Sequence, residues 1–260
     1  MSDRPIAARF GATRAAGRAA LIPYLMAGYP SADATREALA MIGEVGADLA
    51  ELGVPFSDPL ADGPVIQRAS EAALRAGMSL EGALRVVADA RATVPVVLFS
   101  YLNPLLAYGF DALVRDAAAI GVAGLLVTDL PAGQDPELAR AVTAGGLDLI
   151  RLVAPTTTPA RVPEIVADAS GFVYVIARLG VTGPRTGETG MAERAVRRVR
   201  EATHLPVAVG FGIRGPDQVR AIARFADGVV VGSALVERMA GGVESARSLL
   251  AELRTGLAPF

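Results

Sequence analysis

The sequence predicts a parallel (β/α)8 barrel, the TIM barrel of the α/β class, and three observations carry that expectation. Eight short apolar runs of strand length recur along the chain, and a segment with helical periodicity follows each, as successive parallel βα units require. Proline stands where a first helical turn should open, at Pro64, Pro136, Pro159 and Pro216, positions that tolerate a missing N–H. The length, 260 residues, suits one such barrel, and no linker, low-complexity tract or charge block divides it, so residues 1–260 are expected to form a single domain. A doubly wound open sheet is the alternative architecture.

In order, the chain shows an extra helical pattern at Asp3 to Ala16 and a first strand at Ala20 to Leu25. Helix Ala32 to Val45 leads to strand two, Asp48 to Leu52, after which two helices are expected, Pro64 to Ala76 and Leu80 to Ala92. Strand three, Val94 to Phe99, precedes helix Asp111 to Ile120; strand four, Gly124 to Val127, precedes Pro136 to Ala144. Strand five, Leu147 to Val153, precedes Pro159 to Ala169; strand six, Phe172 to Ala177, precedes Ala192 to Ala202. Strand seven, Pro206 to Val209, precedes Pro216 to Phe225, and strand eight, Gly228 to Val231, precedes helical segments from Gly232-Ser233 and over Val243 to Leu253.

Composition narrows the chemistry. The chain is 52% hydrophobic and 20% charged with net charge −2, which suits a globular protein with a large core and gives no electrostatic reason to expect nucleic acid or an anionic membrane. No apolar run approaches a membrane span, and Arg4, Arg9, Arg14 and Arg18 interrupt the first segment, so the expected location is cytoplasmic. Cysteine is absent, which removes disulfides and thiolate chemistry. All 25 basic residues are arginine, so no lysine can form a Schiff base. The single histidine, His204, falls at the entrance of strand seven, away from the loops that carry barrel chemistry.

Those loops follow the strands. Glu51 closes the apolar run of strand two, where a carboxylate must find a partner such as an interior arginine or face the open mouth; burial would raise its pKa toward proton transfer near neutrality. Asp62 lies beyond Pro55 and Pro59 in a loop long enough to fold over the mouth. Asp58 or Asp62 could instead cap the helix at Pro64, and a Mg²⁺ site from Glu51, Asp58, Asp62 and Asp129 is a further possibility. Glycines recur after the late strands, in Gly180-Val-Thr-Gly183, Gly210-Phe-Gly212 and Gly232-Ser233, where backbone N–H groups and a helix N-terminus can cradle phosphate.

The stretch ELGVPFSDPLADGP, Glu51 to Pro64, resembles the signature of the tryptophan synthase alpha subunit family, and the likeness extends along nearly the whole chain. It includes LIPYLMAGYP at Leu21 to Pro30, SYLNP at Ser100 to Pro104, TDLP at Thr128 to Pro131 and APTTT at Ala154 to Thr158. GFVYVIARLGVTG at Gly171 to Gly183, GFGI at Gly210 to Ile213 and DGVVVGSALV at Asp227 to Val236 continue it. The resemblance implies a TIM-barrel lyase performing retro-aldol cleavage of indole-3-glycerol phosphate to indole and glyceraldehyde 3-phosphate, without a metal.

By the same resemblance, Glu51 is the acid/base and Asp62 accepts the indole N–H. Tyr174 orients Glu51; Tyr24, Phe99, Tyr101, Thr128 and Phe211 line the substrate site; Thr182 meets Asp62 when a lid spanning Leu179 to about Met191 closes. Gly183, Gly212, Gly232 and Ser233 hold the phosphate. Phe56, Ser57, Asp58 and Pro59 match the loop facing a beta subunit, which in this family forms an alpha-beta-beta-alpha complex and carries the pyridoxal phosphate, so no cofactor is expected in this chain. Ala177, Met26 and Ala132-Gly-Gln134 depart from the family pattern, the first two near lid closure and Asp62. A stand-alone lyase, a non-catalytic phosphate-binding activator of the beta subunit and a metal-dependent phosphosugar epimerase are the competing functions.

Overall fold

Eight parallel strands close on one another in sequence order, β1 (Ala20–Met26), β2 (Ala50–Gly53), β3 (Val96–Ser100), β4 (Val122–Val127), β5 (Asp148–Val153), β6 (Val173–Ile176), β7 (Val207–Gly210) and β8 (Gly228–Val231), with β8 paired back to β1. The structure, a computed structural model, describes residues 4–176, 188–210 and 212–257. All eight expected strands are present, and the closed ring excludes the open-sheet alternative.

Around the ring stand α1 (Pro5–Ala15), α2 (Ala32–Glu44), α3 (Pro64–Arg75), α4 (Leu80–Ala90), α5 (Leu102–Tyr108), α6 (Phe110–Ala119), α7 (Pro136–Ala144), α8 (Val162–Val166), α9 (Glu188–Ala202), α10 (Pro216–Ala223), α11 (Ser233–Met239) and α12 (Val243–Arg254). Local chemistry explains several starts: Ser31 accepts from the Ala34 N–H, Ser79 from Gly82, and Asp135 from Glu137 and Leu138, while Pro64, Pro136 and Pro216 open their helices. Pro159 does not open one. The helix there starts at Val162 because Pro163 lacks the N–H that a helix begun at Pro159 would need, so the proline fits only in the first turn. The sequence reading missed α5, whose Pro104 sits within its first turn.

Two apolar layers follow from strand alternation. Outward residues such as Leu21, Leu25, Leu52 and Leu98 pack against the helices. Inward residues Ile22, Leu49, Val97, Leu126, Ile150, Phe172, Ala208 and Val230 fill the barrel, and Ile6 and Phe10 of α1 plug its base, with Phe10 and Phe172 rings 5.6 Å apart. At the N-terminal strand ends, carboxylates tie the base together: Arg18 forks onto Asp48 at 2.7 and 2.8 Å, Arg4 meets Asp148 at 2.8 Å, and Asp227 accepts the Val207 N–H at 2.9 Å. His204 is exposed beside the start of β7. The opposite end, where the strands finish, is left for chemistry.

Candidate active site

Glu51 follows Leu49 by two residues, so its side chain shares the inner face of β2, one layer nearer the mouth. It is fully buried, and neither carboxylate oxygen has a hydrogen-bond partner among the described residues. Among the described residues no interior arginine meets it: Arg151 of β5 turns outward, donating to Asp168 at 2.8 and 2.5 Å and to the Leu130 carbonyl at 3.0 Å. Burial alone pushes the Glu51 carboxyl up to about 8.

Asp62 reaches the same mouth from the loop after β2. The Tyr101 hydroxyl donates to its Oδ2 at 3.2 Å and accepts from the Ala61 N–H at 2.9 Å, so one phenol fixes two consecutive loop residues. Burial raises Asp62 to about 6, and the Tyr101 hydrogen bond opposes that rise. Capping is not its task. Helix α3 is preceded by Gly63 with no side-chain cap, and only the Asp62 carbonyl is tied toward the helix, by Gln67 Nε2 at 2.9 Å. Asp58 is exposed and accepts from Ser57 Oγ at 2.6 Å.

Aromatic side chains complete the layer around the acids. Tyr24 lies directly opposite Glu51 in the β1–β2 ladder and stands edge-on to Phe99, centroids 5.4 Å apart at 84°. A methyl group on Gly53 would overlap the Tyr24 hydroxyl, and one on Gly210 would overlap the Tyr174 hydroxyl, so each phenol lies across the glycine of the neighbouring strand. Both phenols are held well above their ordinary pKa, first by burial and then by the charges of Asp62 and Glu51. Tyr174 makes no hydrogen bond to Glu51 in this structure. Thr128, half-buried after β4, donates its N–H to the Ser100 carbonyl at 2.9 Å.

At the phosphate end, Gly212 follows β7 with a positive φ of 53° and is exposed. Gly232 precedes α11 with no side-chain cap, and half-buried Ser233 is the helix's first residue. Gly212 and Gly232 thus stand beyond the ends of adjacent strands, β7 and β8. Thr182, Gly183, Phe211 and Ala177 lie outside the described residues, as does most of the expected lid.

The four acids weighed as a Mg²⁺ site are not gathered into one. Asp129 Oδ1 instead accepts the Leu102 N–H at 2.7 Å, capping α5 from across a neighbouring loop, and among the described residues no three acidic or imidazole groups cluster as a metal requires. Of the proposed partner-facing residues, Ser57 and Asp58 are exposed and Phe56 is half-buried. Its ring lies 5.1 Å from Tyr101, and its N–H and carbonyl are both tied to Ser70 Oγ, at 2.9 and 3.0 Å. The hydrophobic tip is Leu60, 92% exposed, which the sequence reading passed over. No helix of the described residues is long and apolar enough to cross a membrane.

The chain is a (β/α)8 barrel with a desolvated Glu and a second, hydrogen-bonded acid at its C-terminal mouth, the end where enzymes of this class carry their chemistry. A family model described as tryptophan synthase alpha chain matches residues 10–258. The alpha chain of Acidiphilium cryptum is 49% identical over 243 residues, 92% of this chain and 88% of that one, and the Synechococcus elongatus chain is 46% identical over 252 residues, 95% of each. Among solved structures, tryptophan synthase of Mycobacterium tuberculosis is 41% identical with TM-score 0.93 over 99% of both chains, and the alpha subunit of Legionella pneumophila is 32% identical with TM-score 0.89 over 98% of both. The chain belongs to the tryptophan synthase alpha chain family, the lyases that cleave indole-3-glycerol phosphate.

Proposed function

We propose that Glu51 carries the proton in the retro-aldol cleavage of indole-3-glycerol phosphate and that Asp62 holds the indole nitrogen. The supporting observation is the separation of the two acids: with Glu51 pushed up to about 8 and Asp62 to about 6, one keeps its proton near neutrality while the other has lost it. Glu51 gives that proton to indole C3, creating an indoleninium whose positive nitrogen faces the Asp62 carboxylate. The resulting Glu51 carboxylate then takes the proton from the glycerol hydroxyl next to C3. As that O–H pair becomes the carbonyl of glyceraldehyde 3-phosphate, the C–C bond breaks, its electrons return to the ring, and Glu51 is left protonated for the next cycle. The substrate supplies its own electron sink, which suits a chain with no lysine.

On this reading Tyr24, Phe99, Tyr101, Thr128, Tyr174 and Phe211 line the substrate. Thr182 meets Asp62 on closure, and Gly183, Gly212, Gly232 and Ser233 receive the phosphate. The loop at Phe56, Ser57, Asp58 and Pro59 docks a beta subunit in an alpha-beta-beta-alpha complex, with pyridoxal phosphate held by the partner. A groove of about 570 Å³ lined by Phe56, Leu60 and Leu74, with Arg68 and Glu71 on it, supports that docking. The same reading sets the reaction in the cytoplasm.

Steady-state cleavage by two variants tests the assignment. Glu51→Gln is expected to abolish turnover while substrate-analogue binding stays near wild type. Asp62→Asn is expected to lower kcat by about 100- to 1,000-fold, the range for losing one preorganised electrostatic partner. Normal turnover by Glu51→Gln, or an Asp62→Asn variant changed chiefly in melting temperature, would overturn it.

A further inference from the structure

In the reaction above Glu51 spends part of every cycle as a carboxylate, yet neither of its oxygens has a partner among the described residues. A buried anion with no donor is costly, so the ionised state requires a hydrogen-bonding group to reach it. Tyr174 faces Glu51 from β6 across the ring and feels its charge, but its hydroxyl is seated over Gly210 of β7. Tyr24 is the adjacent phenol, its Cα paired with that of Glu51 and its side chain only 4% exposed.

Packing restricts where the Tyr24 hydroxyl can go. Phe99 braces the ring edge-on, and the hydroxyl passes over Gly53, two residues beyond Glu51 on the same strand and the same face. The titratable groups that act on it come from the elements around it: Asp62 in the loop after β2, Glu51 on β2, Tyr101 after β3 and Tyr174 on β6. The charges of both acids oppose its ionisation, so it remains a donor through the neutral range.

We infer that Tyr24 is a positioning residue whose hydroxyl, seated over Gly53, donates a hydrogen bond to the Glu51 carboxylate after Glu51 has passed its proton to the substrate. Gly53 is glycine because that seat has no room for a side chain. The inference rests on the proton-carrying role proposed for Glu51. Tyr24 exchanges no proton with the substrate; it stabilises one charge state of its neighbour.

The test measures indole release from indole-3-glycerol phosphate, with beta subunit present and over a range of pH, by Tyr24→Phe, Gly53→Ala, the double variant and Glu51→Gln. Tyr24→Phe is expected to lower kcat by about 10- to 100-fold, the worth of a hydrogen bond to a charged group, with KM changed less than about twofold. Because a donor to the anion has been lost, the alkaline limb, where Glu51 loses its proton, should also move to higher pH, a change that a packing role alone would not cause. Gly53→Ala should reproduce both effects with the phenol still present. The double variant should regain part of the melting temperature lost in Gly53→Ala while keeping the kcat of Tyr24→Phe. Wild-type kcat and an unmoved limb in Tyr24→Phe would overturn the inference, and with Glu51→Gln inactive the function above would still stand. Normal turnover by Glu51→Gln would remove that function itself.

Discussion

Replacing Glu51 by Gln should make the protein more stable as well as inactive, and the gain should depend on pH. The folded chain raises the Glu51 pKa from 4.5 to about 8, with desolvation the cause and the side chain fully buried. At about 1.4 kcal/mol for each tenfold change in proton affinity, the full span amounts to about 5 kcal/mol. The folded state holds this proton more tightly than the unfolded state, so the contribution is whole below pH 4.5, declines as pH rises, and is lost above about 8. At pH 7 the loss is already about 3 kcal/mol. Glutamine never ionises and escapes it. Urea unfolding of both proteins at a series of pH values isolates the effect, since Asp62 and the other carboxylates are common to both. The stability difference should grow between about pH 5 and 8 and then level off. A difference that stays flat across that range would refute the claim that Glu51 is a desolvated carboxyl without a partner.

Other predictions follow from the same geometry. Cleavage activity should be bell-shaped in pH, rising as Asp62 ionises near 6 and falling as Glu51 deprotonates near 8, and Asp62→Asn should lose the acid limb in a pH–rate series. Tyr101→Phe removes the donor that lowers the Asp62 pKa and frees the Ala61 N–H, so the acid limb should move to higher pH and kcat should fall by about 10-fold in the same assay. Asp129→Ala takes away the cap on the Leu102 N–H and should cost about 1 kcal/mol in urea unfolding.

The strands were legible because each is a short apolar run bounded by turn residues, and Glu51 stood out as a carboxylate inside one of them; the structure settles its face by the alternation that places Leu49 in the core. Helix α5 was hidden because its cap is supplied by Asp129, which lies far along the chain and reaches it only after the barrel has closed. The grip of Tyr101 on Asp62 and Ala61 was hidden for the same reason. The setting of Phe56 was hidden as well, since Ser70 of α3 ties its backbone and its ring lies against Tyr101, leaving Leu60 as the exposed tip of the loop. Gly53 gave no signal at all in the sequence, since its meaning depends on a tyrosine from the adjacent strand.

The central claim is that two acids in different protonation states, without lysine or metal, split indole-3-glycerol phosphate. Its most direct test is indole release by the purified chain in excess EDTA, with and without a beta subunit, beside Glu51→Gln. The account predicts cleavage that the chelator leaves unchanged, that the partner accelerates and that the substitution abolishes. Cleavage that EDTA stops, or that Glu51→Gln retains, would contradict it.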